Sequence, residues 1–348
     1  MSHLKERNEK VCLNCNAQLA GPFCHICGQQ NIEPKESVWH LLTHFFNDIT
    51  HFDGKFFSTT GLLIKRPGFL PKEYMVGRRA SYLNPIRMYI FTSAVFFLIF
   101  FSITHITDKN IDNSIIIDGK TLNEIHSLND DSLTAFTARV NHGKPIPREN
   151  LESYIDSFRH TGGFHFTGNT YKSKEQYDSI LKLGIKKHNW FERRLIYTEI
   201  GANEKYNNNR SVIITSMLNT FLHSFPQMLF ISLPIFALIL QLLYLRRKKY
   251  YYVSHGIFSI HFYIFTFVVL LLMLALGKLK DWLNWEWINF IRALLNLVIL
   301  FYLYKAMRNF YQQGRAKTIV KFLLLSLLAT FMIAFLFVGF ILFSFMKI

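Results

Sequence analysis

The sequence predicts an all-α integral membrane protein with about five transmembrane helices behind a small cysteine module, and three observations carry that expectation. Half of the 348 residues are hydrophobic and 16% are aromatic, 35 of the aromatics being phenylalanine, which is more apolar material than one soluble core buries. Much of it is gathered into runs of about 18 residues or more, long enough to cross a bilayer as helices. All four cysteines fall between positions 12 and 27, ahead of the first such run.

The first run lies at 86–107, led in by Pro85, with Arg87 at its start as its only charge (PIRMYIFTSAVFFLIFFSITHI). Four more fall within 211–348, at about 225–245, 257–276, 287–304 and 319–346; splitting or discounting 212–245 would change the count to six or four. Net charge is +16, from 39 Lys and Arg against 23 Asp and Glu. Taken alone, that excess suggests an anionic partner, nucleic acid or a membrane surface. Its placement decides. The excess flanks the apolar runs, with no groove-sized patch, so nucleic acid is not an expected partner and the lipid bilayer is.

Short-loop charge sets the orientation. RRKKYYYVSH at 246–255 carries four basic residues and no acid, and Lys305, Arg308, Arg315 and Lys317 follow the fourth run, again without an acid. Between the third and fourth runs, Lys278 and Lys280 are balanced by Asp281 and Glu286 beside Trp282, Trp285 and Trp287. The expected location is therefore the bacterial cytoplasmic (inner) membrane, multi-pass, with the N-terminus inside and the C-terminus outside. No apolar stretch precedes the cysteines, so no secretory leader is expected. Residues 108–210, near neutral, become an extracytoplasmic helical insertion. DDSLTAFTARV, PRENLESYIDSF and SKEQYDSILKLGIKKHNWFERRLI show helical spacing there, with a break at GGFHFTGN.

Residues 1–33 read as a cytoplasmic metal module. Cys12, Cys15, Cys24 and Cys27 form C-x2-C-x8-C-x2-C, and two such pairs close a tetrahedron of thiolates around one zinc ion. Gly21 and Gly28 are expected to relieve the tight turns. Four thiolates leave no open position, so the ion is structural, and in so short a segment it supplies most of the folding energy. No internal repeat is evident.

Residues 34–85 read as an amphipathic, interfacial segment. In SVWHLLTHFFNDITHFDGKFF, a rotation of 100° per residue gathers the apolar side chains on one side and puts His40, His44, Asp48 and His51 within about 80° of each other. The plainer reading of that arc is a solvated polar face. The sharper one is a second metal site, which His255 and His261 of the third run could join. Beyond it, Pro67, Pro71 and Pro85 interrupt helices, and Lys65, Arg66, Arg78 and Arg79 suit a phosphate-rich interface. In the fourth run, Asn289, Arg292 and Asn296 share one face. No glycine-rich phosphate loop and no nucleophile elbow occurs.

The cysteine knuckles ending in CGQ, FDGKFF, RPGFLPKEYMVGRRASYLNP and RRKKYYYVSHGIFSIH together resemble a family of bacterial multi-spanning membrane proteins, a domain of unknown function with an N-terminal zinc ribbon. The resemblance implies zinc, membrane location and approximate topology, and names no reaction. Its pattern has Glu-His where this chain has Ser254–His255, so a glutamate ligand or base is not expected there. The leading expectation is a protein that is not an enzyme, a zinc ribbon docking a cytoplasmic protein partner onto a multi-spanning bundle. The alternatives are a transporter for a small or lipid-like solute, and a membrane-embedded metal enzyme built on the histidines.

Overall fold

The computed structural model describes residues 7–32, 55–104, 116–117, 120–121, 124–125, 127–140, 144–151, 164–168, 171, 173–184 and 187–348. The histidine arc, His40, His44, Asp48 and His51, lies outside the described residues. In chain order the helices are α1 (Phe56–Lys65), α2 (Phe69–Val76), α3 (Pro85–Ile103), α4 (Asp130–Val140), α5 (Lys174–Lys182), α6 (Trp190–Lys205), α7 (Arg210–His223), α8 (Phe225–Leu243), α9 (Tyr252–Leu283), α10 (Trp287–Tyr311) and α11 (Arg315–Lys347). Five of them, α3, α8, α9, α10 and α11, are long and apolar enough to cross a membrane. The all-α membrane architecture with its four-cysteine module is therefore the one observed. Among the described residues, a two-residue antiparallel ladder, β1 (Ile116–Ile117) with β2 (Lys120–Thr121), departs from the helical reading of the insertion.

The chain forms two compact units, Met1–Thr104 with Pro226–Phe335 and His105–Phe225 with Leu336–Ile348. In the first, α9 is the central helix. It buries Ile257, Phe258, Ile264, Phe265, Phe267 and Val269, and its rings interlock with those of its neighbours. Phe265 stacks on Tyr302 of α10 at 3.5 Å, and Phe267 meets Phe96 of α3 at 5.2 Å. The most apolar window of α9 is 44% buried, against 17% for α10 and for α11. Phe290, Leu297 and Phe301 of α10 and Leu323, Phe331 and Phe335 of α11 stand exposed. An apolar surface of that extent is stable in lipid, not in water.

The neck between the cysteine module and α3 is two short helices. Pro67–Gly68 breaks them apart, and Gly68, at φ 76°, lies so close to α10 that a Cβ would stand 2.5 Å from the Ala306 carbonyl oxygen. Only glycine permits both the left-handed backbone and that approach. Tyr302 Oη donates to the Leu63 carbonyl at 2.9 Å, and Asn309 Nδ2 to the Pro67 carbonyl at 2.8 Å, which fastens the neck to α10. Asn84 caps α3, its side chain accepting from the Ile86 N–H at 2.9 Å with Pro85 in the first turn.

The second unit corrects one expectation about helix continuity. The stretch 173–196 is two helices, α5 and α6. Gly184 at φ 69° follows the first, and Asn189 and Glu192 form a reciprocal capping box at the start of the second. The N-x-x-E spacing that signals this start is present in the sequence. The stretch 212–245, whose splitting the sequence leaves open, is divided between α7, which ends at His223 and is capped by Ser224, and α8. The expected break at GGFHFTGN is pinned where it is described. Asn203 of α6 donates to the Phe164 carbonyl and accepts from its N–H, and buried Glu199 accepts from the Thr167 N–H and hydroxyl, both at 2.8 Å.

Candidate metal centre

The cysteine module is built from one local unit used twice, twelve residues apart. In the first knuckle the Asn16 N–H donates to the Cys12 carbonyl at 2.9 Å, and in the second the Gly28 N–H donates to the Cys24 carbonyl at 2.8 Å. The flanking bridges repeat with the same offset, Val11 with Gln18 and Phe23 with Gln30. The residue after the second cysteine takes a left-handed conformation in each, Asn16 at φ 61° and Gly28 at φ 71°. Gly21, expected to relieve the first turn, has no positive φ; Asn16 does that work. Asparagine tolerates this region better than other residues with a side chain, which is why the repeat escapes a search for paired glycines.

This backbone aims the four sulfurs at one point. Cys12 Sγ lies 3.5 Å from Cys27 Sγ, Cys15 Sγ lies 3.5 Å from Cys24 Sγ, and all four fall within 4.8 Å of one another. A tetrahedron of 2.3 Å metal–sulfur bonds has edges of about 3.8 Å, so the quartet fits a four-thiolate ion. The separations are too long for disulfides, which need about 2.05 Å, and all four cysteines are free. Backbone N–H groups of Cys27 and Ile26 pull the Cys24 thiol down to about 6. The Ala17 backbone N–H also lowers Cys15, but desolvation and the three neighbouring sulfurs outweigh it and leave that thiol raised to about 12. Four thiols this close resist ionising together, and a divalent cation relieves that repulsion. Apart from the cysteines, the apolar core of the module is little more than Leu19 and Ala17.

The module is fastened to the neck chiefly by Gln29. Gln29 Nε2 donates to the Gly77 carbonyl at 2.6 Å, while Gln29 Oε1 accepts from the Arg79 and Ala80 N–H groups at 3.1 and 3.2 Å. Ser81 Oγ adds a bond to Asn14 Oδ1 at 2.7 Å. The turn that Gln29 grips is the end of α2. Gly77 is left-handed at φ 98°, and the Arg78 N–H reaches back to the Glu73 carbonyl, a closure that requires glycine. Arg78 pairs with the buried Glu73 carboxylate at 2.9 Å. The Arg79 guanidinium lies 4.5 Å from the centre of the Tyr74 ring, and burial lowers it to about 10. Gln29 is the glutamine of CGQ and Gly77–Ala80 belong to the VGRRAS stretch. Both strings stand out in the sequence, but only folding brings them together.

The membrane histidines behave differently from one another. His261 Nδ1 donates to the Ile257 carbonyl one turn back, at 2.8 Å, so its polarity is answered within α9. His255 is fully buried, with Nδ1 at 2.7 Å from Tyr311 Oη and Nε2 without a partner among the described residues. Six residues apart, the two lie about 9 Å apart along the helix axis and on different sides of it. Tyr311 is sandwiched against Tyr244 at 3.6 Å, and Lys321 Nζ stands 3.7 Å over the other ring. In α10, Asn296 Nδ2 donates to the Arg292 carbonyl and Asn289 Nδ2 to Glu286, so these two amides of the expected polar stripe bond locally. Among the described residues, the cysteine quartet is the one group of histidine, cysteine or acidic side chains whose ligand atoms converge.

Residues 53–97, the neck and most of α3, match the model of a family described as Protein of unknown function (DUF3667). The likeness read from FDGKFF and RPGFLPKEYMVGRRASYLNP is thereby shown for that stretch. No curated protein and no solved structure matches the chain.

Proposed function

We propose that this chain is an integral protein of the bacterial cytoplasmic membrane, without catalytic activity of its own, in which a structural zinc ribbon braces the neck of the bundle and presents a docking face to a cytoplasmic protein. The observation that carries this reading is the Gln29 amide, three of whose hydrogen bonds span from the knuckle to Gly77, Arg79 and Ala80. The metal folds the ribbon, the ribbon places Gln29, and Gln29 holds the turn that leads into α3. The zinc assignment rests on four thiolates and no oxygen or nitrogen donor, a set suited to that ion. Docking is supported by Val11, Phe23 and Ile26, exposed by 47%, 58% and 67% on so small a module. Short-loop charge places the N-terminus inside and the C-terminus outside.

Metal analysis of the purified chain tests this directly. One zinc per chain is expected, absent from a Cys12→Ser/Cys15→Ser variant in which amide exchange at 77–81 rises. Stoichiometric zinc in that variant, or unchanged exchange at the neck, would overturn the brace. Reporter fusions at Lys249 and Gln313 should read inside and a fusion at Ile348 outside. A second reading is favoured by the buried Nε2 of His255, which has no partner among the described residues and suits a polar or metal centre shared with His40, His44, Asp48 and His51. It requires a second metal per chain, lost on His44→Asn and on His255→Asn.

A further inference from the structure

A cavity of about 280 Å³ opens beside the neck, lined by Lys72, Met75 and Val76 of α2, by Lys249, Tyr250 and Tyr251, and by Phe310 and Gln312 at the end of α10. No function discussed so far uses it. Its lining combines two kinds of surface. Met75, Val76 and Phe310 form an apolar wall, and Val76 remains 48% exposed. Lys72 and Lys249 supply two ammonium groups, neither of which has an acceptor among the described residues, and the neighbouring Glu73 carboxylate is taken by Arg78. Tyr250 spends its hydroxyl on the Phe310 carbonyl at 2.8 Å, so it fixes the wall and leaves the lysines to meet a ligand.

The cavity also lies at a defined depth. Tyr251 immediately precedes α9 and Gln312 immediately follows α10, so the cavity sits where two candidate spans end. That is headgroup level, with tyrosines at the rim as interfaces favour. Two cations above an apolar wall whose outer part, Val76, is exposed and whose base, Phe310, is buried complement a molecule that is anionic at one end and apolar at the other. We propose that this cavity binds the phosphate of an anionic phospholipid, whose acyl chain runs along Met75, Val76 and Phe310. Soluble phosphate shares the headgroup chemistry but leaves the apolar wall in water, which is why the lipid is the better occupant. The proposal needs neither zinc in the ribbon nor either orientation of the chain.

The test is lipid binding by the full-length chain in detergent, read by native mass spectrometry after delipidation and titration with dioleoylphosphatidylglycerol, dioleoylphosphatidylcholine or inorganic phosphate. One phosphatidylglycerol per chain should survive washing that strips phosphatidylcholine. A Lys72→Ala/Lys249→Ala variant should bind it about 30-fold more weakly, each lysine near a lipid surface being worth about a factor of five. A Lys278→Ala/Lys347→Ala variant, with the same net charge, should bind as the unaltered chain does. Val76→Asp changes an exposed side chain and places a carboxylate beside the two lysines, so it should also weaken phosphatidylglycerol and leave the melting temperature in place. Equal losses in the two lysine pairs would reduce the effect to general surface charge and overturn the site. So would equal retention of the two lipids, or inorganic phosphate binding as tightly as the lipid with the same lysine dependence.

Discussion

Residues 7–32 and helix α9 solve the problem of staying folded in opposite ways. The module has almost no apolar interior: its buried cluster is Cys12, Leu19 and Cys24, and two of those three belong to the cysteine quartet. Helix α9 carries a long apolar sequence, satisfies its backbone internally, and buries rings against α3 and α10. On the proposed reading, the first depends on an ion and on a handful of backbone hydrogen bonds that fix the sulfurs. The second depends on length and hydropathy, which a bilayer reads without any special side chain. Between them the neck borrows from both, since Gln29 ties it to the module and Gly68 presses it onto α10.

The largest expected effect separates the two regions outright. Losing Cys12 and Cys15 should remove the ion and unfold residues 7–32, because structural zinc is worth on the order of 10 kcal/mol to so small a module. Membrane insertion of α3 and α8–α11 should be untouched, and a protease-protection pattern that changed in the spans would break the comparison. Next comes Gly68→Ala, which forces a Cβ against the Ala306 carbonyl and an L side chain into the left-handed region. A loss of at least about 2 kcal/mol is expected, seen as a lower melting temperature with zinc content unchanged.

Gln29→Ala should detach the ribbon while leaving it metallated. Three hydrogen bonds of ordinary strength put the cost at about 1–3 kcal/mol, localised by faster exchange at Gly77–Ala80 rather than by zinc loss. Metal affinity should also depend on pH in one direction. Cys15, pushed up to about 12, holds its proton at neutral pH when the ion is away, whereas Cys24, down at about 6, has already lost its own. Binding therefore releases at least one proton, and apparent affinity should rise by about tenfold or more per unit between pH 7 and 8. A flat profile from competitive chelator titration would contradict it. The smallest effect belongs to the bundle. Tyr244 Oη is buried without a partner among the described residues, so Tyr244→Phe should cost nothing and gain up to about 1 kcal/mol. A marked loss would mean that this hydroxyl and His255 Nε2 serve a bound group.

The four sulfurs, the five apolar helices and the family likeness at the neck were legible in the order of the residues. Each is a property of one contiguous stretch: a two-residue spacer, an apolar run of sufficient length, a string such as RPGFLPKEYMVGRRASYLNP. Asn16 was missed in favour of Gly21 because a left-handed turn leaves only a weak compositional trace when asparagine fills it. The α5–α6 break was missed although Asn189 and Glu192 announce it, since continuous helical periodicity on both sides masks a cap. What tertiary structure alone decided are the meetings between distant segments. Gln29 reaches Gly77 across 48 positions, Gly68 touches Ala306, and Lys72 and Lys249 come to line one cavity. Nothing in a residue's neighbours along the chain encodes such a meeting, because it depends on how whole helices pack. The same packing separates two histidines that look alike in sequence, one satisfied by its own helix and one left with an open nitrogen.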